Sequence, residues 1–405
     1  MILAQTISEV CTRQRENARS VDHLLDRWGS NGFRSASSHA LVVTGVRRCG
    51  KSTLLAEMIS RLNDSDYFFL NFDTPLLFEF SVNDFPRLDA VIESFTAKKL
   101  FFDEIQLVKG WEMYVRQKLD EGFEVTVTGS NASLLSRELA TRLTGRHISF
   151  ELYPFSYDEF LSFTQAVRCK ESLERYLEKG GFPEYLKTDD EAQLTSLYQD
   201  ILIRDIVARY GIKEVLGLQR LAMFLINNVG NRFTAGKLKQ SLSVGSASTV
   251  INWCGFIENT YLFTFVDKFS YSARAQAINP QKIYAVDTGL VNALTIKKGA
   301  DQGHLLENAV FLQLRRKGKE IYYFEDKGRE CDFVVCKGGN AREVIQVCSD
   351  LNPDNMEREV GGLRAAMNFF SLSQGKIITL NQSEKIDEQK GKKIIVEPFW
   401  KWTAS

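Results

Sequence analysis

The sequence predicts an α/β protein whose first domain is built on a parallel sheet. Three observations carry this prediction. Short apolar, β-branched runs at 40–44, 67–72, 100–102 and 125–128 alternate with helical periodicity, as parallel strands joined by crossover helices require. A glycine-rich turn separates the first run from an amphipathic stretch over 52–62. Further along, the texture changes near residues 153, 218 and 291, dividing the 405 residues into segments 1–152, 153–217, 218–290 and 291–405.

The elements follow in order. Residues 1–39 read as a helical lead-in ending in a Ser/Asn/Gly-rich turn, and the strands and helices of the parallel sheet run to about Leu152. Residues 153–217 are helical (YPFSYDEFLSF, SLERYLEKGG, LTSLYQDILIRDIVARYG), broken at Gly180-Gly181 and Pro183. Residues 218–290 read as three short helices and two strand-like runs, LFTFV and KIYAV, the order of a winged helix. The last segment offers a helix (LLENAVFLQLRRKG), strands at IYYF, CDFVV and VIQVC, a helix near 357–369 and a strand at IITL.

Composition narrows the function. With 51 Lys+Arg against 51 Asp+Glu the formal net charge is +0, which excludes a wholly polycationic nucleic-acid binder but not a local basic patch. At 44% hydrophobic and 25% charged residues the chain is globular rather than disordered. No apolar run is long enough to span a bilayer, and the N-terminal MILAQTISEVCTRQRE turns charged too early for a secretory signal. Seven cysteines, an odd number without a CxxC, argue against a disulfide framework or a closed zinc site. The expectation is a cytoplasmic protein with reduced thiols and no membrane segment.

Chemistry concentrates in the first domain. Gly45-Val46-Arg47-Arg48-Cys49-Gly50-Lys51-Ser52 fits G-x4-G-K-[ST] between a strand and a helix, the context a P-loop requires. Glycines admit the backbone N–H groups to phosphates, and the helix N-terminus adds a favourable dipole. These residues and Thr53 are therefore candidate ATP contacts, with Lys51 reaching the β/γ-phosphates and Ser52 ligating Mg²⁺. Lys99-Leu100-Phe101-Phe102-Asp103-Glu104 is an apolar strand ending in two acids. Asp103 is expected to orient Mg²⁺ and Glu104 to act as general base on the attacking water. Val127-Thr128-Gly129-Ser130-Asn131 ends another strand in polar groups. Asn131 or Ser130 is a candidate sensor of the γ-phosphate, and either also suits the N-cap of a helix over 132–140. Arg137, Arg142 and Arg146 are candidate arginine fingers, in cis or from a neighbouring subunit, with Arg146 preferred because it follows Gly145.

GVRRCGKSTLL, LFFDEIQ, TGSNASLLS, LTGR, YPFSYDEFL and GGFPEYL together resemble the prokaryotic AAA-family ATPases that carry a C-terminal domain of unknown function, a group similar to archaeal and STAND-type signalling ATPases. The resemblance covers nearly the whole chain and implies a P-loop NTPase core with a helical lid. In the STAND group a Gly-x-Pro of the lid contacts adenine, and Gly181-Phe182-Pro183 matches it, which makes Gly181 and Pro183 candidate cofactor contacts. The STAND sensor ends in Thr-Ser-Arg, whereas Thr-Gly-Ser-Asn stands here.

The C-terminal segment resembles a PD-(D/E)xK nuclease fold. Glu307 matches the first-helix Glu and Asp332 the strand Asp, but the third element reads Gln346-Val347-Cys348, with Cys in the place of the water-activating Lys. The resemblance implies a nuclease-like α/β domain with a vestigial site at Glu307, Asp332 and Gln346 and without efficient nuclease activity. Cys331, Cys336 and Cys348 read as buried small hydrophobes.

Segment 218–290 holds seven basic residues (Arg220, Arg232, Lys237, Lys239, Lys268, Arg274, Lys282) and three acids, a local excess of +4. A winged helix with this charge suggests duplex DNA contact through Ser246, Ser248, Thr249 and Asn252 of a helix over 246–262, and equally a regulatory lid on the nucleotide domain. The expected cofactors are ATP and Mg²⁺. The expected partners are further copies of the chain, DNA or an unidentified protein. Three functions stay open: an ATP-driven remodeller acting on DNA, a nucleotide switch signalling to a partner, and an ATP-gated, metal-dependent nuclease.

Overall fold

A computed structural model of the chain describes residues 1–20, 25–27, 38–132, 143, 145–242, 244–295, 301–387 and 391–404. Contacts divide it into two compact units, Met1–Leu152 with Asn259–Tyr261, and Tyr153–Glu258 with Leu262–Ser405.

The first unit is a five-stranded sheet of β1 (Ala40–Thr44), β2 (Tyr67–Asn71), β3 (Lys99–Asp103), β4 (Glu124–Gly129) and β5 (His147–Glu151), in the order β2-β3-β4-β1-β5 with every neighbour parallel. Successive side chains of a strand point to opposite faces, and here both faces are covered. Phe68, Leu70, Leu100 and Phe102 join one core with Ile7, Val10, Leu88 and Ile92, from helices α1 (Ala4–Arg19) and α3 (Phe85–Glu93). Tyr67, Phe69 and Phe101 join the other with Leu55 and Ile59 of α2 (Lys51–Ser60). Two-sided burial is why these strands read as unbroken apolar runs. Helix α4 (Trp111–Asp120) completes the unit. The expected lead-in helix is confined, among the described residues, to α1. The edge strand β5 has only half-buried or exposed residues, and no apolar run announces it.

In the second unit, helices α5 (Tyr157–Thr164), α6 (Lys170–Lys179), α7 (Pro183–Thr188) and α8 (Ala192–Asp200), the last continuing as a π-helix over Ile201–Ala208, come first. The break after α6 is fastened by a buried carboxylate. Gly180 has φ 68°, and a Cβ on Gly181 would fall 2.2 Å from the Phe155 carbonyl oxygen. The Gly181 N–H donates to Asp287 Oδ2 at 2.6 Å, while Asp287 Oδ1 accepts from Leu290 N at 2.9 Å.

Next come α9 (Val215–Asn227), β6 (Arg232–Phe233), α10 (Ala235–Leu242), α11 (Ala247–Asn259), β7 (Phe263–Asp267), α12 (Ala273–Ile278) and β8 (Gln281–Ala285). The strands form an antiparallel sheet with β8 in the middle. After α13 (Thr288–Leu294), the chain forms α14 (Gln302–Arg316), an antiparallel meander of β9 (Glu320–Asp326), β10 (Arg329–Lys337) and β11 (Asn340–Val347), then α15 (Met356–Phe369) and β12 (Gln374–Thr379), which runs parallel to β11. Strands β13 (Glu384–Asp387) and β14 (Lys393–Pro398) extend the sheet, and α16 (Phe399–Trp402) follows. Val360, Leu363, Ala366 and Met367 of α15 bury against Cys331, Val334, Val344 and Ile377.

Candidate active site

The loop that leaves β1 enters α2 at a position dictated by close backbone approach. Gly45 has φ 146°, and a Cβ there would fall 2.0 Å from the Leu152 carbonyl oxygen. Gly50, at φ 103°, is the N-cap of α2, so Lys51 and Ser52 occupy the first helical turn, where backbone N–H groups lack intrahelical partners and favour an anion. Val46 and Cys49 are buried in the loop, and burial pushes the Cys49 thiol up. Arg48 takes a left-handed φ of 63°. Ser52 and Thr53 are exposed.

Lys51 is 4% exposed. Its Nζ donates to the carbonyls of Gly45 and Val46 at 3.2 and 3.1 Å and lies 3.7 Å from Glu104 Oε1. Asp103, fully buried at the end of β3, accepts from the Thr128 hydroxyl, from Asn71 Nδ2 at 2.8 Å and from the Ser52 hydroxyl. Burial, then the Glu104 carboxylate, push the Asp103 carboxyl up. Glu104 takes a left-handed φ of 52°, the kind of backbone strain that clusters at functional sites. Its backbone N–H donates to Thr128 Oγ1 at 3.0 Å, and its carboxylate accepts from Gln106 Nε2 and, at 3.3 Å, from Ser130 Oγ. Burial pushes Glu104 up, but the Lys51 ammonium, the Gln106 amide and the Arg47 guanidinium outweigh it and hold the carboxyl below its usual range.

The structure thus gathers Lys51, Ser52, Asp103, Glu104 and Ser130 at the carboxyl ends of adjacent parallel strands, where open α/β sheets bind ligands. Asn131 follows Ser130 and is buried. Side by side, the Ser52 hydroxyl and the Asp103 carboxylate are hard oxygen donors of the kind Mg²⁺ takes together with phosphate oxygens, so these residues fit that ion. Asn71, Gln106 and Thr128 were missed by sequence reasoning. Asn71 had a signal: it ends the apolar run of β2 as the register partner of Asp103.

One expectation changes. Arg146 precedes β5, whose first residue pairs with Ala40 at the start of β1, while the loop leaves β1 at its other end. Five residues of strand separate them, about 16 Å. Arg146 instead bonds Asp120 and donates to the Ser38 carbonyl at 3.0 Å, so it does not reach the phosphate site of its own chain. Arg137, Arg142 and the helix expected over 132–140 lie outside the described residues. Gly181 and Pro183 lie in the second unit, where the Gly181 N–H is committed to Asp287 and Pro183 begins α7.

An AAA domain family matches residues 37–161, and a domain of unknown function (DUF8612) matches residues 170–301. An uncharacterized protein of Methanocaldococcus jannaschii is 34% identical over 393 residues, 90% of this chain and 88% of the relative. An uncharacterized protein of Haemophilus influenzae is 31% identical over 329 residues, 76% of this chain and 81% of the relative. The chain belongs to this family of AAA-domain proteins. Among solved structures, Hsp104 of S. cerevisiae in its casein complex aligns at 14% identity with a TM-score of 0.33, over 67% of this chain and 62% of that one.

The second unit of this AAA-domain protein holds another polar centre. Lys282 of β8 is 2% exposed, and its Nζ lies 3.0 Å from Glu307 Oε1, 2.7 Å from Glu330 Oε1 and 2.8 Å from Asp332 Oδ1. Burial would strip its proton, but Asp332 and Glu307 outweigh burial and hold the ammonium charged. Burial, then the Asp332 carboxylate, push Glu307 up to about 7. Gln346 accepts from the Asp332 N–H at 3.3 Å and donates to Glu359 Oε2 at 2.7 Å. Sequence reasoning counted Lys282 in an exposed basic patch and took the lysine of this centre to be lost at Cys348. A lysine does stand among these acids, but β8 supplies it. Arg232 and Lys268 are also drawn to carboxylates, of Glu330 at 3.6 Å and Glu325 at 2.6 Å, which leaves a weaker patch than the +4 count implied. The Ser246 hydroxyl, expected to read DNA, accepts from Thr249 N at 3.0 Å at the start of α11. The thiols of Cys331, Cys336 and Cys348 are buried, and burial pushes each up.

Proposed function

We propose that the chain binds ATP with Mg²⁺ at the P-loop of its first unit and hydrolyses it to drive a conformational switch. The observation that carries this reading is the convergence of Lys51, Ser52, Asp103 and Glu104. Lys51 exchanges the Gly45 and Val46 carbonyls for β- and γ-phosphate oxygens. Ser52 and Asp103 hold Mg²⁺, which when bound neutralises phosphate charge. Glu104, kept ionised by Lys51 and Gln106, takes the proton of the attacking water, and Ser130, with Asn131 beside it, links that carboxylate to the end of β4.

Nucleotide binding measured with a fluorescent ATP analogue, beside phosphate release, tests the assignment. Lys51→Ala is expected to lose binding, and Glu104→Gln to keep binding while losing turnover. Undiminished turnover in Glu104→Gln contradicts the role given to Glu104.

The action on a target is read as a switch towards a protein partner or further copies of the chain. Support comes from the basic residues of segment 218–290, since Arg232, Lys268 and Lys282 are paired with acids. Arg220, Lys237, Lys239 and Arg274 stay exposed and keep a DNA contact as the second reading. It predicts DNA-stimulated turnover and salt-sensitive binding weakened by Lys237→Ala with Lys239→Ala.

A further inference from the structure

The nuclease resemblance implies a divalent cation held by Glu307, Asp332 and Gln346, and the side chains there do not fit one. We propose that the Lys282 ammonium is the resident cation of this acidic centre, standing in the place a divalent metal would have to take. This inference is independent of the ATPase reading.

Stoichiometry comes first. An ammonium has three N–H donors and no acceptor, and Lys282 finds three carboxylate oxygens at 2.7–3.0 Å, from Glu307, Glu330 and Asp332, so its donors are saturated. The carboxylates are engaged elsewhere as well. Glu307 Oε1 also accepts from the Tyr284 hydroxyl at 2.7 Å, and Asp332 Oδ2 accepts from Val347 N at 2.9 Å. Gln346 turns its amide oxygen to the Asp332 N–H and its nitrogen to Glu359, so its one ligating atom already faces a backbone donor. Among the described residues, no group of three or more His, Cys, Asp or Glu is placed to hold a metal ion.

The lysine is also held in place. It stands on β8, the central strand of its sheet, in register with Arg232 of β6 on one side and Val266 of β7 on the other. Its backbone is thus anchored by strand pairing on both sides rather than carried on a loop. A Mg²⁺ ion needs oxygens at about 2.0–2.1 Å in octahedral geometry. It would have to displace Nζ or share the same oxygens with a like charge. The centre therefore works as a fixed ionic joint between the β6-β8-β7 sheet and the six-stranded sheet, with Lys282 doing by covalent attachment what a diffusible cation does elsewhere.

The test uses the full chain without nucleotide, in a Ser52→Ala background that disables the P-loop ion site. Mn²⁺ is titrated and the free ion counted by electron paramagnetic resonance. The parent is expected to hold no Mn²⁺ that depends on Asp332, so its uptake equals that of Asp332→Asn. Lys282→Met, checked for folding by circular dichroism, is expected to gain one Mn²⁺ per chain with affinity raised at least tenfold, and Lys282→Met with Asp332→Asn to lose it. One Mn²⁺ held by the parent and lost in Asp332→Asn overturns the proposal, as does a folded Lys282→Met without the gain. Should the variants fail to fold, the parent decides: no bound Mn²⁺ supports the proposal, and a tightly held Mn²⁺ that raises its melting temperature overturns it.

Discussion

Lys51 and Lys282, two of the buried lysines that stand beside carboxylates, are in opposite conditions. Lys51 has one carboxylate at 3.7 Å and two backbone carbonyls. Lys282 has three carboxylates at 2.7–3.0 Å. A lysine that borrows carbonyls can release them to an incoming phosphate at little cost, because carbonyls are neutral. A lysine that saturates three acids is part of the framework, since removing it leaves buried negative charge unpaired. On the proposed reading, the same side chain is a ligand-binding group in one unit and a structural ion in the other.

The largest effect expected on this contrast is catalytic. Glu104→Gln should lower ATP turnover by about 10²–10⁴-fold, the range a positioned general base contributes, read by phosphate release at saturating ATP. Next comes stability of the second unit. Lys282→Met or Asp332→Asn should cost about 3–5 kcal/mol in urea unfolding, because each removes one partner of a buried charge pair, and nucleotide binding should be untouched.

Acid–base behaviour sharpens the same point. Glu307 lies at about 7 against an ordinary 4.5. Its folded value is raised, so the folded state binds the extra proton between these limits and stability falls as pH rises through that window. The fall should amount to roughly 3 kcal/mol at most, and Glu307→Gln should flatten it in unfolding measured at pH 5 and pH 7. Gly181→Ala should cost about 1–3 kcal/mol, because its Cβ meets the Phe155 carbonyl oxygen. Smallest of all, Arg146→Ala breaks a partly exposed ion pair with Asp120, and should change stability by about 0–1 kcal/mol and leave turnover unchanged. A thousandfold loss of turnover in that variant would mean that Arg146 acts on a neighbouring chain.

The first unit was legible because its chemistry is contiguous. Lys51 and Ser52 sit in one short string, Asp103 and Glu104 end another, and each string carries its own strand, so two-sided burial writes the sheet into the sequence as apolar runs. What was not legible depends on pairing across the chain. Asn71 meets Asp103 only because β2 and β3 lie side by side, and Gln106 curls back on Glu104 through a left-handed turn. Arg146 was preferred because it follows Gly145, yet the parallel register puts it at the end of β5 away from the phosphate loop. The C-terminal sheet was anticipated through its helix and strand runs, but β13 and β14 were not. Lys282 was misplaced for the same reason as Asn71 was missed. Its acids lie 25, 48 and 50 residues away on other elements, and charge counted along a segment says nothing about which charges fold inward.

ATP turnover measured side by side in Glu104→Gln and Lys282→Met, each confirmed folded, tests the contrast most directly. The account predicts that Glu104→Gln falls at least about a hundredfold below the parent while Lys282→Met stays within about twofold of it. Turnover that survives in Glu104→Gln and disappears in a folded Lys282→Met would contradict it.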